Sequence, residues 1–131
     1  MTRFLFFIVL LFSLTLSAQQ LKSPSEFLGY ELGTEFTRHY EVVDYYEYLA
    51  KAAPDRVKLT VYGQTNERRP LIVAYVSSAE NIANLENIRL EHLKETKGEG
   101  NSDKAIVWLS YNVHGNESVS TEASMKTIYE L

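Results

Sequence analysis

The sequence predicts an α/β domain, a mixed β-sheet flanked by helices, and three observations carry that expectation. Runs with strand alternation are interspersed with runs of helical spacing. One stretch, residues 105–113 (AIVWLSYNV), is apolar on both faces at its start, as in a strand covered from both sides. The order reads helix, strand, strand, helix, strand, helix, which suits a sheet packed against helices.

The chain opens with Arg3, the apolar run Phe4 to Phe12 and a small-residue exit at Ser17-Ala18. A positive start, a short apolar stretch and small residues predict a secretory signal peptide over residues 1–18. The run is short of the ~20 apolar residues that a membrane helix needs. The protein is therefore expected to be exported, periplasmic or secreted, and free of the membrane after signal cleavage. Residues 19–131 are then one domain of ordinary size. It has no cysteine, so packing or metal must hold it together without disulfides. The whole chain has 13 basic against 17 acidic residues, 12 basic once Arg3 is removed with the signal peptide, and without a basic cluster this balance argues against nucleic acid as a partner.

Residues 21–37 read as an irregular lead-in, since Pro24, Gly29 and Gly33 interrupt any period. Residues 41–53 (EVVDYYEYLAKAA) are a helix, with Val42, Tyr45, Tyr46, Leu49 and Ala53 on one face and Pro54 as the stop. Its tyrosines suit a packed face with hydrated hydroxyls better than a sugar-binding surface. Residues 57–62 (VKLTVY) and 71–76 (LIVAYV) are two strands joined by a short polar connection, an antiparallel hairpin. Ser77-Ser78-Ala79-Glu80 fits a capping box, and Ile82, Leu85, Ile88 and Leu93 carry the next helix to about Thr96. Residues 97–104 (KGEGNSDK) form a loop, residues 105–113 the third strand, and residues 118–131 a helix through Val119, Ala123, Ile128 and Leu131.

YNVHGNES, residues 111–118, carries the chemistry. His114 and Glu117 offer a neutral imidazole and a charged carboxylate, a donor pair that suits zinc. His114 follows a buried strand, Gly115 allows a sharp turn, and Glu117 starts the next helix, where the dipole favours its ionised form. His92 and Glu95 repeat the spacing inside a helix without strand or glycine, so a solvated helix face explains them and spacing alone is weak. The bland alternative for His114 and Glu117 is a strand-end histidine and a helix-start glutamate. Asn116-Glu117-Ser118 is also a glycosylation sequon, and a glycan there would compete with a metal. The helical HExxH metalloprotease pattern is absent.

Three stretches together resemble the N-terminal part of the zinc carboxypeptidase family, the carboxypeptidase A-type metallopeptidases, in its bacterial exported form. They are FLGYELGTEFTRHYEVVDYYEYLA, YGQTNERRPLIVAYVSSAENI and YNVHGNESVSTEA, spanning most of residues 19–131. The resemblance implies a zinc-dependent peptidase that hydrolyses C-terminal peptide bonds of peptide or protein substrates with a free C-terminus. It implies that His114 and Glu117 are the first two Zn2+ ligands. The family's third histidine, its general-base glutamate and its carboxylate-binding arginine are expected beyond Leu131, so no catalytic residue is assigned within the chain. The domain is thus expected to be truncated after its first metal motif, and the 131-residue chain alone to be inactive and marginally folded. His39 and His92 fall in parts that resemble non-ligand regions. Arg68, Arg69 and Glu122 read as surface or packing residues, with Arg68 standing where the family's hairpin has glycine. Two alternatives stay open, a zinc deacylase of the succinylglutamate desuccinylase and aspartoacylase type, and a non-catalytic domain that binds peptide through an exposed sheet edge.

Overall fold

The computed structural model describes residues 20–131. The expected signal peptide, residues 1–18, lies outside them. Seven elements follow in order: α1 (Pro24–Leu28), α2 (His39–Ala52), β1 (Val57–Gln64), β2 (Pro70–Val76), α3 (Ala79–Ala83), α4 (Leu85–Glu95) and α5 (Val119–Glu130). No helix among the described residues is long and apolar enough to cross a membrane.

The lead-in is more ordered than its glycines and proline suggest, because those residues start and stop a helix. Ser23 caps α1, and its hydroxyl accepts from the Glu26 N–H at 3.3 Å. The Glu26 carboxylate accepts from the Ser23 N–H at 2.8 Å, which completes a reciprocal capping box. Bonds from the Ser23 hydroxyl and N–H hold that carboxyl below its ordinary pKa. Pro24 occupies the first turn, where its missing N–H costs nothing, and Gly29 ends the helix at φ 82°.

α2 forms where the apolar period requires it, two residues earlier than expected. Tyr45 and Leu49 join Val57 of β1 and Met125 and Ile128 of α5 in the core, with Phe27, Leu28, Val42 and Tyr46 packed against them. The Phe27 and Tyr45 rings meet edge-on at 5.1 Å. Ala53 lies outside the core, and each tyrosine hydroxyl has a backbone partner. Tyr45 Oη donates to the Lys22 carbonyl at 3.0 Å, and Tyr46 Oη donates to the Ser124 carbonyl at 3.1 Å. The Tyr48 hydroxyl accepts from the Lys22 N–H at 2.8 Å. These bonds tie α2 to the lead-in and to α5.

β1 and β2 pair antiparallel, Val57 opposite Val76 and Gln64 opposite Pro70, with a bulge between Val61 and Gly63. Only the end near Val57 and Val76 reaches the core; the far half of β1 is mostly exposed, while Pro70 to Val73 of β2 are half-buried. The expected single helix after β2 is two, broken at Asn84, and its cap is Ser78 rather than Ser77. Leu90 and Leu93 of α4 are exposed and neither helix buries a residue, so this helical pair sits on the periphery.

The mixed sheet expected from the sequence is corrected to a single hairpin among the described residues. Residues 105–113 are not a strand, and Ile106, Val107, Trp108 and Leu109 are exposed. A strand exists by pairing, and the only sheet among the described residues is the two-stranded β1–β2 pair. The segment therefore has the composition of a buried strand without the ladder that would make it one. α5 buries Ile128 as expected but otherwise presents a different face from the one expected. Ser124, Met125 and Ile128 are buried, whereas Val119 and Leu131 face solvent.

Candidate metal centre

The site is built by a turn. The Glu117 N–H donates to the His114 carbonyl at 3.1 Å, closing a four-residue reversal with Gly115 and Asn116 at its centre. This closure brings the first and fourth side chains together. His114 Nδ1 lies 3.1 Å from Glu117 Oε2. Two donors at about 2.0–2.2 Å from one tetrahedral ion lie about 3.4 Å apart, so the pair is close to the spacing that zinc requires. The side chains are 67 % and 56 % exposed, and neither has another bonding partner among the described residues. Both are available to a ligand arriving from solvent.

The expected mechanism of the turn is corrected in detail. Gly115 does not adopt a left-handed backbone, and a Cβ placed there would meet nothing within 4 Å. The left-handed residue is Asn112, at φ 56°. Asparagine tolerates that conformation better than most residues. Glu117 precedes the helix instead of starting it, since α5 begins at Val119 with Ser118 as the residue before it.

His92 and Glu95 also meet, with Nδ1 2.9 Å from Oε2, so the shared spacing produces a shared distance. Their surroundings differ. They are 24 % and 32 % exposed. The second Glu95 oxygen accepts from the Ser102 N–H, and Ser102 Oγ lies 3.5 Å from His92 Nε2. That pair is spent on holding the loop against α4. The close approach of Gly100 fits this reading, since a Cβ there would lie 2.8 Å from the Glu91 carbonyl oxygen.

The sequence profile described as zinc carboxypeptidase matches residues 42–131, more than half of the chain. The chain belongs to the zinc carboxypeptidase family. Neither a curated protein nor a solved structure matches it. Family membership makes it a member of a hydrolase family whose substrates are peptides, and the matched range contains both His114 and Glu117. Among the described residues no group of three histidine, cysteine, aspartate or glutamate side chains converges. The donor set present is thus a pair.

Sequence reasoning missed the residues that hold this turn to the body. Asn112 Nδ2 donates to Thr121 Oγ1 at 2.8 Å. Next to Thr121, Glu122 accepts from the Gly33 N–H and, at 2.7 Å, from Thr37 Oγ1. Tyr30 Oη lies 2.8 Å from the same Thr37 hydroxyl. Glu122 is therefore a packing residue, as expected, but one that bonds across 85 positions to fasten α5 to the lead-in. The asparagine was legible only as a residue type that accepts positive φ; its partner lies nine positions away in a separate element.

Proposed function

We propose that the protein is an exported zinc-dependent metallocarboxypeptidase that releases C-terminal residues from peptides, with His114 and Glu117 as two of its zinc ligands. The observation that carries the reading is the meeting of these two side chains at 3.1 Å, exposed and otherwise unpartnered among the described residues. Imidazole nitrogen and carboxylate oxygen form a donor pair suited to a borderline ion. His114 supplies a neutral ligand and Glu117 a charged one, which offsets part of the ion's charge. The turn sets their separation, and their exposure leaves the approach open to a peptide. Bound there, zinc supplies Lewis-acid polarisation of the scissile carbonyl. Export rests on the signal-like composition of residues 1–18.

The test is zinc affinity, measured by competition with a chelator, for the wild-type protein and for His114→Ala and His92→Ala. Loss of a ligand is expected to weaken binding by at least about tenfold, in line with the sensitivity of metal sites even to their supporting residues. His92→Ala is expected to bind like wild type. Undiminished affinity in His114→Ala would overturn the assignment. Release of free amino acid from peptide C-termini, with no hydrolysis of N-acyl amino acids, separates peptidase from deacylase.

A further inference from the structure

Residues 105–113 lie outside any sheet, so no ladder of backbone bonds delivers His114 to its position. The Ser120 N–H reaches the Glu117 carbonyl at 3.4 Å and ties that end of the turn to α5, so the His114 end is the one left to be fixed. Three observations converge on one residue. Asn112, two positions before His114, carries the left-handed backbone angle, φ 56°, at which the chain bends into the turn. Its side-chain amide donates to Thr121 Oγ1 at 2.8 Å, four positions beyond Glu117. Thr121 is itself on a fixed element, because the adjoining Glu122 is bonded to Thr37 and Gly33, and Met125 of the same helix is fully buried. The Asn112–Thr121 bond therefore brackets the turn from both sides, and it joins the exposed side of the motif to the anchored side.

We infer that Asn112 is a positioning residue for the His114–Glu117 pair, acting through Thr121. The inference rests on the reading of that pair as a zinc-ligand set. Without the bond the four-residue turn keeps its own closing hydrogen bond and the Ser120 N–H bond to the Glu117 carbonyl at 3.4 Å, but its His114 side loses the side-chain tie to α5, so the pair is held less firmly where the rest of a site can meet it. Partners bonded directly to metal ligands contribute about 10–100-fold to metal affinity, and Asn112, one step further out through Thr121, belongs at the low end of that range. Asparagine suits both tasks here, since it accepts positive φ and carries a donor.

The experiment measures Zn2+ alone, competed against a chromogenic chelator, on the full protein, alongside thermal unfolding of the metal-free form. The variants are Asn112→Gly, which keeps the backbone angle and removes the amide, Thr121→Val, which keeps the shape and removes the acceptor, their double, Thr121→Ser and His114→Ala. Asn112→Gly and Thr121→Val are each expected to weaken zinc by about tenfold. The double variant is expected to be no weaker than either single, because one bond is removed in all three. Thr121→Ser, which keeps the hydroxyl, is expected to retain wild-type affinity, and the metal-free unfolding temperatures to remain together. Wild-type affinity in Asn112→Gly and Thr121→Val, with affinity lost in His114→Ala, would overturn the positioning role while the ligand pair stands. Additive losses, or losses that track a lowered metal-free unfolding temperature and persist in Thr121→Ser, would also overturn it. Undiminished affinity in His114→Ala removes the ligand pair and this inference together.

Discussion

Arg68 holds φ 64° in the hairpin connection, a left-handed angle that costs an L side chain about 1–2 kcal/mol. Local bonds hold it there. The Arg68 N–H donates to the Thr65 carbonyl at 2.9 Å, and the Thr65 N–H to the Arg69 carbonyl at 2.9 Å. Glycine adopts the angle without strain but loses about 0.5–1 kcal/mol more backbone entropy on folding. Arg68→Gly is therefore expected to stabilise the protein by about 0.5–1 kcal/mol, read from urea unfolding as a higher midpoint with unchanged slope. A lower midpoint would show that the arginine side chain contributes more than its backbone angle costs. At Gly115 the direction is similar but the reason differs. Its backbone is not left-handed and a Cβ meets nothing, so Gly115→Ala is expected to leave metal-free stability unchanged or to raise it by about 0.4–1 kcal/mol. A loss above about 1 kcal/mol would mean the turn needs a glycine after all. These two positions show what was legible at this scale. The resemblance to the family implied a glycine-like residue at the position where Arg68 stands. The angle at Asn112 could not be read from the sequence, because it depends on a bond to Thr121 that no local pattern announces.

Among the elements, α2 and α5 carry the core, and their contact makes two predictions. Met125 is fully buried beside Tyr45 and Leu49, so Met125→Ala is expected to cost about 2–5 kcal/mol of unfolding free energy. Loss of less than about 1 kcal/mol would show that the packing around Met125 contributes little to the core. Tyr45 is also fully buried, and that burial, with smaller contributions from neighbouring tyrosines and Glu26, pushes its hydroxyl pKa well above the ordinary value. Burial likewise raises Tyr46. A raised folded pKa means that the native state keeps a proton which the unfolded chain gives up. The associated stability is complete below the unfolded tyrosine value of about 10 and falls as pH rises above it towards the folded value. Unfolding free energy measured from neutral to strongly alkaline pH should therefore drop above about pH 10. Tyr45→Phe should make that drop shallower while losing the bond to the Lys22 carbonyl. An unchanged alkaline slope in Tyr45→Phe would assign the loss to other groups. The α2 face was readable because Tyr45 and Leu49 repeat at helical spacing into an uninterrupted run. The α5 face was readable only at Ile128, because Val119, Ala123 and Leu131 continue the apolar period while the helix turns Ser124 and Met125 inward with Ile128 against α2. Which of several possible faces is buried depends on a neighbour, and the neighbour is distant in sequence.

Across the whole molecule the main tension lies between composition and surroundings in residues 105–113. The stretch has the apolar content of a strand covered on both faces, yet Val107 and Trp108 are 77 % and 73 % exposed. Periodicity can report that a segment is suited to burial, but it cannot supply the partner that buries it. This is why the α/β character was legible and the extent of the sheet was not. An exposed run of this kind, with unpaired backbone groups, is a site for intermolecular pairing. Trp108 is the chain's single tryptophan, so its fluorescence reports on this segment alone. In dilute solution the 131-residue chain is expected to show red-shifted emission that acrylamide quenches readily. As concentration rises, emission should move to the blue while light scattering increases. Val107→Lys places a charge in the middle of the run, where a paired strand would have to bury or flank it, and should suppress both changes. The core residues are untouched by that substitution, so far-ultraviolet circular dichroism should stay the same. Blue-shifted, quencher-resistant emission at the lowest concentration would instead mean that the segment is already covered within one chain. Equal scattering from wild type and Val107→Lys would place the source of association elsewhere, with the exposed hairpin end near Val61 and Tyr62 the next surface to charge.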